Sequence, residues 1–472
     1  MKILIRKEQF LLPAFLILIG GLLFVSCKKD SFITSSDAQL YTSADTISFD
    51  TVFTTVGSVT QSFKIFNNNN RKLLLSEIRL AGSNSSPFQL NIDGNSSNNV
   101  QNIELNANDS IYVFVQVNVN PNSANTPFIL KDSIQISFNG NKRFVQLQAY
   151  GQNAIFLKKQ IITGTKTWTN GLPYVILGSV QVDTNAVLKI EAGTKIYLHA
   201  DAPFLVDGTL KAIGTKDSRI VFSGDRMDEV YKDLPASWPG IYFRNTSQNN
   251  LMEYAIIKNA YQGIVARNRS TTSKPKLTLS KCIVDNIYDV GISGINTEIF
   301  ADNCLVSNCG ANVALSYGGD YQFTFCTIAT YGNLYIRHKN PVLQVSNFIG
   351  DNGMIYTAPL KAIFTNSIFW GDNGMVENEL SVQKKGTGLF DVQFNHVLYK
   401  AKDEVTNAVF IAPIKNIAPG FDSVNISGNI YDFRFNNNPV SPALNSGVPT
   451  SFLYDLDGKL RNATPDLGCY EQ

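Results

Sequence analysis

The chain has 472 residues, 44% of them hydrophobic and 17% charged, with a formal net charge of +2. That balance excludes a disordered chain and a small disulfide scaffold, and it cannot generate the positive field that a nucleic-acid partner requires. The chain has only three histidines, His199, His338 and His396, which argues against a His-rich metal site and a Ser-His-Asp hydrolase without excluding either.

Lys2, Arg6 and Lys7 precede an apolar run from Phe10 to Val25 that ends at Ser26-Cys27. A charged head, a short apolar core and a small residue describe a signal peptide over 1–26. The run is interrupted by Pro13, Gly20 and Gly21 and is shorter than the ~20 apolar residues of a spanning helix. Leu23-Phe24-Val25-Ser26-Cys27 resembles the lipobox of bacterial lipoproteins, which implies cleavage before Cys27 and lipidation of its thiol. Lys28-Lys29-Asp30 resembles the charged tag of Bacteroidota lipoproteins displayed on the cell surface. The implied address is the outer membrane, held through the lipid anchor. Loss of residues 1–26 would leave a formally neutral chain whose other five cysteines, being odd in number, cannot all pair internally.

A polar tether is expected over 27–37. From 38 to 151, short alternating strands such as Ser62 to Phe66, Lys72 to Leu80 and Ile111 to Val119 are separated by Asn/Gly/Ser clusters. This pattern predicts an antiparallel β-sandwich. Phe49-Asp50-Thr51-Val52, Phe63-Lys64-Ile65-Phe66-Asn67, Phe88 and Val113-Phe114-Val115-Gln116-Val117 resemble Ig-like domains of the MSP/ASPM-SPD2-Hydin type, which implies a spacer or docking module.

From 160 to 472 the chain reads as a solenoid. Leu188-Lys189-Ile190-Glu191-Ala192-Gly193-Thr194, Phe204-Leu205-Val206-Asp207-Gly208-Thr209-Leu210 and Trp238-Pro239-Gly240-Ile241-Tyr242-Phe243 resemble the coils of right-handed parallel β-helices of the pectate-lyase-like class. Internally, Ala255, Cys282, Cys304, Cys326, Ser346, Ser367 and His396 recur at spacings of 27, 22, 22, 20, 21 and 29, with an apolar residue two positions after each. A period near 22 returns the chain to the same angular position one strand spacing, about 4.8 Å, away. The three cysteines are therefore expected to stack as an inward, reduced ladder, continued by Ser346 and Ser367. Asn259, Asn286, Asn308, Thr330, Gly350 and Gly371, four positions after the ladder residues, are expected at one corner. Ser441-Pro442-Ala443-Leu444-Asn445-Ser446-Gly447, Asp455-Leu456-Asp457-Gly458, Arg461 and Pro465 to Glu471 resemble the closing segment of bacterial surface β-helices, expected to cover the open end of the solenoid. The fold class expected is all-β: an Ig-like sandwich followed by a right-handed parallel β-helix.

The β-helix resemblance implies polysaccharide-cleaving chemistry, so carboxylates sharing a face carry interest. Gly350-Asp351-Asn352-Gly353 and Gly371-Asp372-Asn373-Gly374 repeat after 21 residues, which would place Asp351 and Asp372 on adjacent coils, close enough to share a proton or bind Ca²⁺. A repeated turn explains the same residues. Arg337, in Arg337-His338-Lys339, could supply a cationic base or hold a uronate carboxylate, or simply end a strand in solvent. Tyr231 and Trp238, on the Asp225 to Pro239 insert, suit sugar stacking, or pack the loop on the solenoid flank. With no complete acid/base set, the sequence favours a non-catalytic protein that binds a glycan or another surface component, the alternative being a polysaccharide lyase or glycoside hydrolase on the β-helix face.

Overall fold

In the strand Asp109–Val117, Ile111, Val113, Val115 and Val117 are buried while Tyr112, Phe114 and Gln116 face solvent. Period-two burial of this kind requires a second sheet over the inner face. The computed structural model supplies it, and describes residues 31–54, 57–82, 85–121, 128–229, 231–351, 353–436 and 440–472. The expected signal peptide, Cys27 and its Lys28-Lys29-Asp30 tag lie outside the described residues.

One sheet runs Leu40–Thr42, Gln61–Asn67, Asp109–Val117, Phe88–Ile92 and Asn95–Ser96 in spatial order. The other runs Thr46–Phe53, Asn141–Gln152, Phe128–Phe138, Leu73–Leu80 and Asn99–Leu105. Between them Phe49, Phe63, Phe88, Ile134 and Leu147 form the core. The expected tether is shorter than read from the sequence. Ile33 N donates to Lys72 O at 2.8 Å, and Asn139 Nδ2 donates to the carbonyls of Ile33 and Ser35, so residues from Phe32 onward already belong to this unit.

The second unit begins at Gln152 and is a right-handed parallel β-helix with three faces. Parallel pairing starts at Ile155–Ile162, slightly before the expected boundary. The first face stacks Lys195–Leu198, Ile220–Gly224, Ala255–Lys258, Ile283–Asp285, Leu305–Ser307, Thr327–Thr330 and Ile368–Gly371. The second stacks Phe204–Val206, Ile241–Phe243, Ile264–Arg267 and the start of Val290–Asp302. The third carries an inward aromatic column, Phe323, Phe364, Phe394 and Phe410, with ring centroids 5.6, 4.9 and 4.8 Å apart in turn.

The cysteine ladder stands. Ile256 pairs with Ile283, Ile283 with Leu305 and Leu305 with Thr327, which puts Ala255, Cys282, Cys304 and Cys326 in one register column. Cys282 N lies 3.4 Å from Cys304 Sγ. Beyond Cys326 the sequence alignment fails. Thr327 pairs directly with Ile368, and Cys326 N donates to Ser367 Oγ at 3.1 Å, so Ser367 and not Ser346 is the next member. Ser346 ends a strand of the second face, Leu343–Ser346, and a hairpin of Phe348–Asp351 with Met354–Thr357 follows it. His396 is displaced by one: Ile368 pairs with Leu398, which assigns the column to Val397.

The closing segment does not cover the end of the solenoid. Leu456, Cys469, Tyr470 and Phe433 pack on Leu305 and Ala329, and Phe435, Ala443 and Leu467 pack on Ile368, Trp370 and Leu398, all on the outer side of the first face. The reason is that Leu305, Ala329, Ile368, Trp370 and Leu398 make this stretch of the first face apolar on its outer side as well, so it is buried there too. The last coil keeps Val409 and Ile411 exposed.

Cys282, Cys304, Cys309, Cys326 and Cys469 are free and buried. Desolvation raises the thiols of Cys282, Cys304, Cys309 and Cys469, and thiolate is the reactive form. In the native full chain none of the five should react with a thiol-disulfide reagent, and all should react once guanidinium unfolds it. Modification of any of them under native conditions, located by mass spectrometry, would contradict this packing.

Candidate functional site: a groove on the second face

The outward side chains of the second face follow from register alone. Val182 pairs with Val206, Val206 with Phe243 and Phe243 with Ala266, all inward. The next residue of each coil therefore forms a column at the strand ends: Asp183, Asp207, Arg244 and Arg267. With Gln181, Leu205, Tyr242 and Pro239 they line a groove of about 800 Å³.

Asp207 is the fixed centre of this groove. Arg244 grips it from the neighbouring coil, Nε donating to Oδ1 at 2.8 Å and Nη2 to Oδ2. Gln181 Nε2 donates to Oδ2 at 2.8 Å from the coil on the other side. A paired, two-point guanidinium contact of this kind is strong and directional. Beneath it, Lys276 is fully buried, and its ammonium donates to the carbonyls of Arg244 and Asn245 at 3.1 and 3.0 Å. Thr246 Oγ1 donates to Asp207 O and Ser247 Oγ to Gly208 O, so the segment carrying Arg244 is tied down along its length.

An aromatic flank borders the groove. Tyr242 Oη donates to Pro239 O at 3.1 Å, and Gln262 N donates to the same carbonyl at 3.0 Å. Tyr261, adjoining Gln262, is exposed and stacks on exposed Tyr288 of the next coil, with centroids 5.7 Å apart and planes at 24°. Gln262 Nε2 donates to Asp289 Oδ2 at 2.8 Å beside them. Burial raises the Tyr242 phenol, so it stays a neutral donor and acceptor.

The residues singled out from sequence lie elsewhere. Asp351 sits on the hairpin, opposite Met354, and Asp372 follows the first-face strand Ile368–Gly371, with its Oδ1 3.6 Å from Lys400 Nζ. They are not on adjacent coils, because Asp351 lies off the solenoid, and the expected carboxylate pair and Ca²⁺ site between them do not form. The two Gly-Asp-Asn-Gly turns even need glycine for different reasons. Gly353 has a φ of +78° in open space, whereas a Cβ on Gly374 would come 2.5 Å from His338 O. Among the described residues no group of three or more His, Cys, Asp or Glu side chains could hold a metal ion.

Arg337 is exposed and shares a separate groove of about 490 Å³ with Lys339, Asn373 and Gly374, outside any strand. His338 is buried there, its Nε2 2.8 Å from Glu379 Oε1. Trp238 is fully buried, with Nε1 donating to Lys258 O at 2.9 Å, so it offers no face to a sugar. Tyr231 is exposed, but the Arg226 guanidinium lies 3.7 Å above its ring. The insert packs instead of forming an aromatic platform. The groove residues were missed because their spacings are unequal. Asn259-Ala260-Tyr261-Gln262 and Asn286-Ile287-Tyr288-Asp289, which repeat after 27 residues, were the one available signal.

No family model matches the chain and no curated protein matches it. Solved structures with local likeness include a family 123 glycoside hydrolase from Clostridium perfringens, described for glycolipid glycan hydrolysis, at 8% identity and TM-score 0.18. That match spans 25% of this chain and 26% of the other, so the chain spans about a quarter of that enzyme. An ASH/PapD-like domain of human CEP192 matches at 12% identity and TM-score 0.17, over 27% of this chain and 91% of that one. A family 28 exopolygalacturonase from Yersinia enterocolitica matches at 10% identity and TM-score 0.24, over 76% of this chain and 94% of that one. The chemistry of the groove rests on its own residues.

Burial pushes the Lys276 amine down to about 8 from 10.5, against a smaller opposing pull from Glu298. Between those values the unfolded chain keeps a proton that the folded chain has lost, so this group makes stability rise with pH over that window. Denaturant unfolding of wild type and Lys276→Met at pH 8 and near pH 10 should show a shallower rise in the variant. Equal pH dependence of the two chains would contradict the assignment.

Proposed function

We propose that this chain is a lipid-anchored surface protein whose second-face groove binds a neutral polysaccharide strand without cleaving it. The observation that carries the reading is the exposed, stacked Tyr261–Tyr288 pair running coil to coil beside the groove. A pyranose presents an apolar face to such a ring and hydroxyls at its edge, and Gln262, Asp289 and Tyr242 offer donors and acceptors beside the pair. Charge selects the substrate class. Asp183 and Asp207 balance Arg244 and Arg267 within the groove, so it has no surplus positive charge for a uronate chain.

One observation favours the enzymatic alternative: Asp183 and Asp207 occupy equivalent positions on adjacent coils. Against it, both oxygens of Asp207 are already engaged by Arg244 and Gln181, whereas a general acid or nucleophile needs a free one. Product release from a polysaccharide panel, with or without Ca²⁺, and its loss in Asp183→Asn would establish a lyase or hydrolase and overturn the binding reading.

Affinity electrophoresis of the detergent-purified full chain should show retardation by a neutral polysaccharide. Tyr261→Ala with Tyr288→Ala should weaken it about tenfold, and polygalacturonate should not retard the chain. Retardation unchanged in the double variant would remove the tyrosine pair from the site.

The anchor is supported by the Leu23 to Cys27 motif alone. More than one acyl chain on Cys27 would hold the protein stably at the outer membrane. Cys27→Ala should leave the precursor uncleaved and free of labelled fatty acid. Label in that variant, or none in the wild-type chain, would refute the anchor.

A further inference from the structure

The sandwich is read from sequence as a spacer or docking module, and one of its outer faces is not a plain polar surface. On Asp109–Val117 the solvent side carries Tyr112 and Phe114, whose rings stack with centroids 5.6 Å apart and planes at 15°. Both are exposed, and Lys64 Nζ from the adjoining strand lies 4.5 Å above Tyr112. Two parallel rings on one strand form a flat apolar step about two residues long.

The step leads into a pocket of about 230 Å³ lined by Phe114, Gln89, Asn91, Gln116, Thr60 and Ser96. Register explains the convergence: Phe114 lies opposite Asn91 and Gln116 opposite Gln89, while Asn91 pairs with Ser96 in the hairpin beyond. Gln116 Nε2 donates to Thr60 Oγ1 at 2.6 Å, which fixes that amide at the rim. Asn91 Oδ1 is buried and has no hydrogen-bond partner. A buried, unpaired carbonyl oxygen is costly unless a donor is supplied.

Every polar side chain lining this pocket is an uncharged amide or hydroxyl, and its apolar lining is the Phe114 ring with Leu90. A phosphate, carboxylate or metal ion would find no counter-charge there. A small uncharged ligand with one apolar face and several hydroxyls matches the lining, and the volume is below that of a typical drug-sized site. We propose that this pocket is a second carbohydrate site, which takes one neutral sugar ring against Phe114 with a hydroxyl donating to Asn91 Oδ1. The assignment stands on the sandwich's own residues and is independent of the β-helix groove.

The test uses the full chain carrying Tyr261→Ala and Tyr288→Ala, so that groove binding is disabled. Gels containing dextran, xyloglucan or glucomannan serve as neutral probes, with polygalacturonate as the charged control. At least one neutral gel should retard this chain. Adding Phe114→Ala, a surface change that leaves the core intact, should weaken that retardation about tenfold, and Phe114→Tyr should restore it. No retardation in any neutral gel, retardation indifferent to Phe114→Ala, or retardation by polygalacturonate alone would each overturn the assignment. The two sites fail separately, since loss caused only by the tyrosine pair removes this one and loss caused only by Phe114→Ala removes the groove.

Discussion

Each coil of the β-helix must turn sharply without dropping a backbone hydrogen bond, and one corner meets that demand in the same way coil after coil. Tyr254, Lys281, Asn303, Phe325, Asn366 and His396 all adopt left-handed backbone angles, with φ between 46° and 54°. Each immediately precedes a ladder residue. Each also donates its N–H to the next coil: Tyr254 to Ser280 O, Lys281 to Asp302 O, Asn303 to Thr324 O, Phe325 to Thr365 O, Asn366 to Asn395 O and His396 to Ile411 O, at 2.8 to 3.0 Å. A non-glycine residue in this region costs roughly 1–2 kcal/mol. The hydrogen bond it preserves contributes about 1 kcal/mol, and leaving the group buried and unpaired would cost more. The corner therefore depends on the coil above it, and no coil is stable alone.

That dependence explains what was legible in the sequence. Where coils follow one another without interruption, from Ala255 to Cys326, the period near 22 located the inward column correctly. The step from Cys326 to Ser367 is 41 residues, because a second-face strand, a hairpin and part of the next coil intervene. Ser346 imitated the period by ending a true strand on a different face. His396 was off by one because it occupies the left-handed corner, where asparagine is common and any polar residue looks plausible, while apolar Val397 takes the column. The groove was less legible still. Asp207 and Arg244 are 37 residues apart in sequence but on neighbouring coils, separated by an insert whose length no period predicts.

The first face shows how a solenoid buries an outer surface. Its later strands carry Leu305, Ala329, Ile368, Trp370 and Leu398 on the outer side, so the C-terminal segment folds back along the flank and is locked by charge. The Arg461 guanidinium is nearly inaccessible. It donates to Glu471 Oε2 at 3.1 Å, to Asn303 Oδ1 at 2.6 Å and to Gly468 O at 2.9 Å, and lies 3.7 Å from the Phe325 ring centre. Asn303 and Phe325 are two of the left-handed corner residues. The lock thus closes directly on the corner it covers, and breaking such a buried pair from one side typically costs about 3–5 kcal/mol. Arg461 was visible in sequence as part of a motif, but its partner Asn303 was not, since 158 residues separate them.

The same physics fixes the central carboxylate of the second face. A carboxylate that performs proton transfer needs an unengaged oxygen and a poised proton affinity. Asp207 has neither oxygen free, because Arg244 and Gln181 reach it from the coils on either side. Rigid stacking is what delivers those partners. Lys276 adds to this rigidity by holding the Arg244 and Asn245 carbonyls from below, which limits the freedom of Arg244 to leave Asp207. A groove built this way presents fixed donors and acceptors. Fixed groups lose little conformational entropy on binding, and a solenoid surface provides them without loops that must first be ordered.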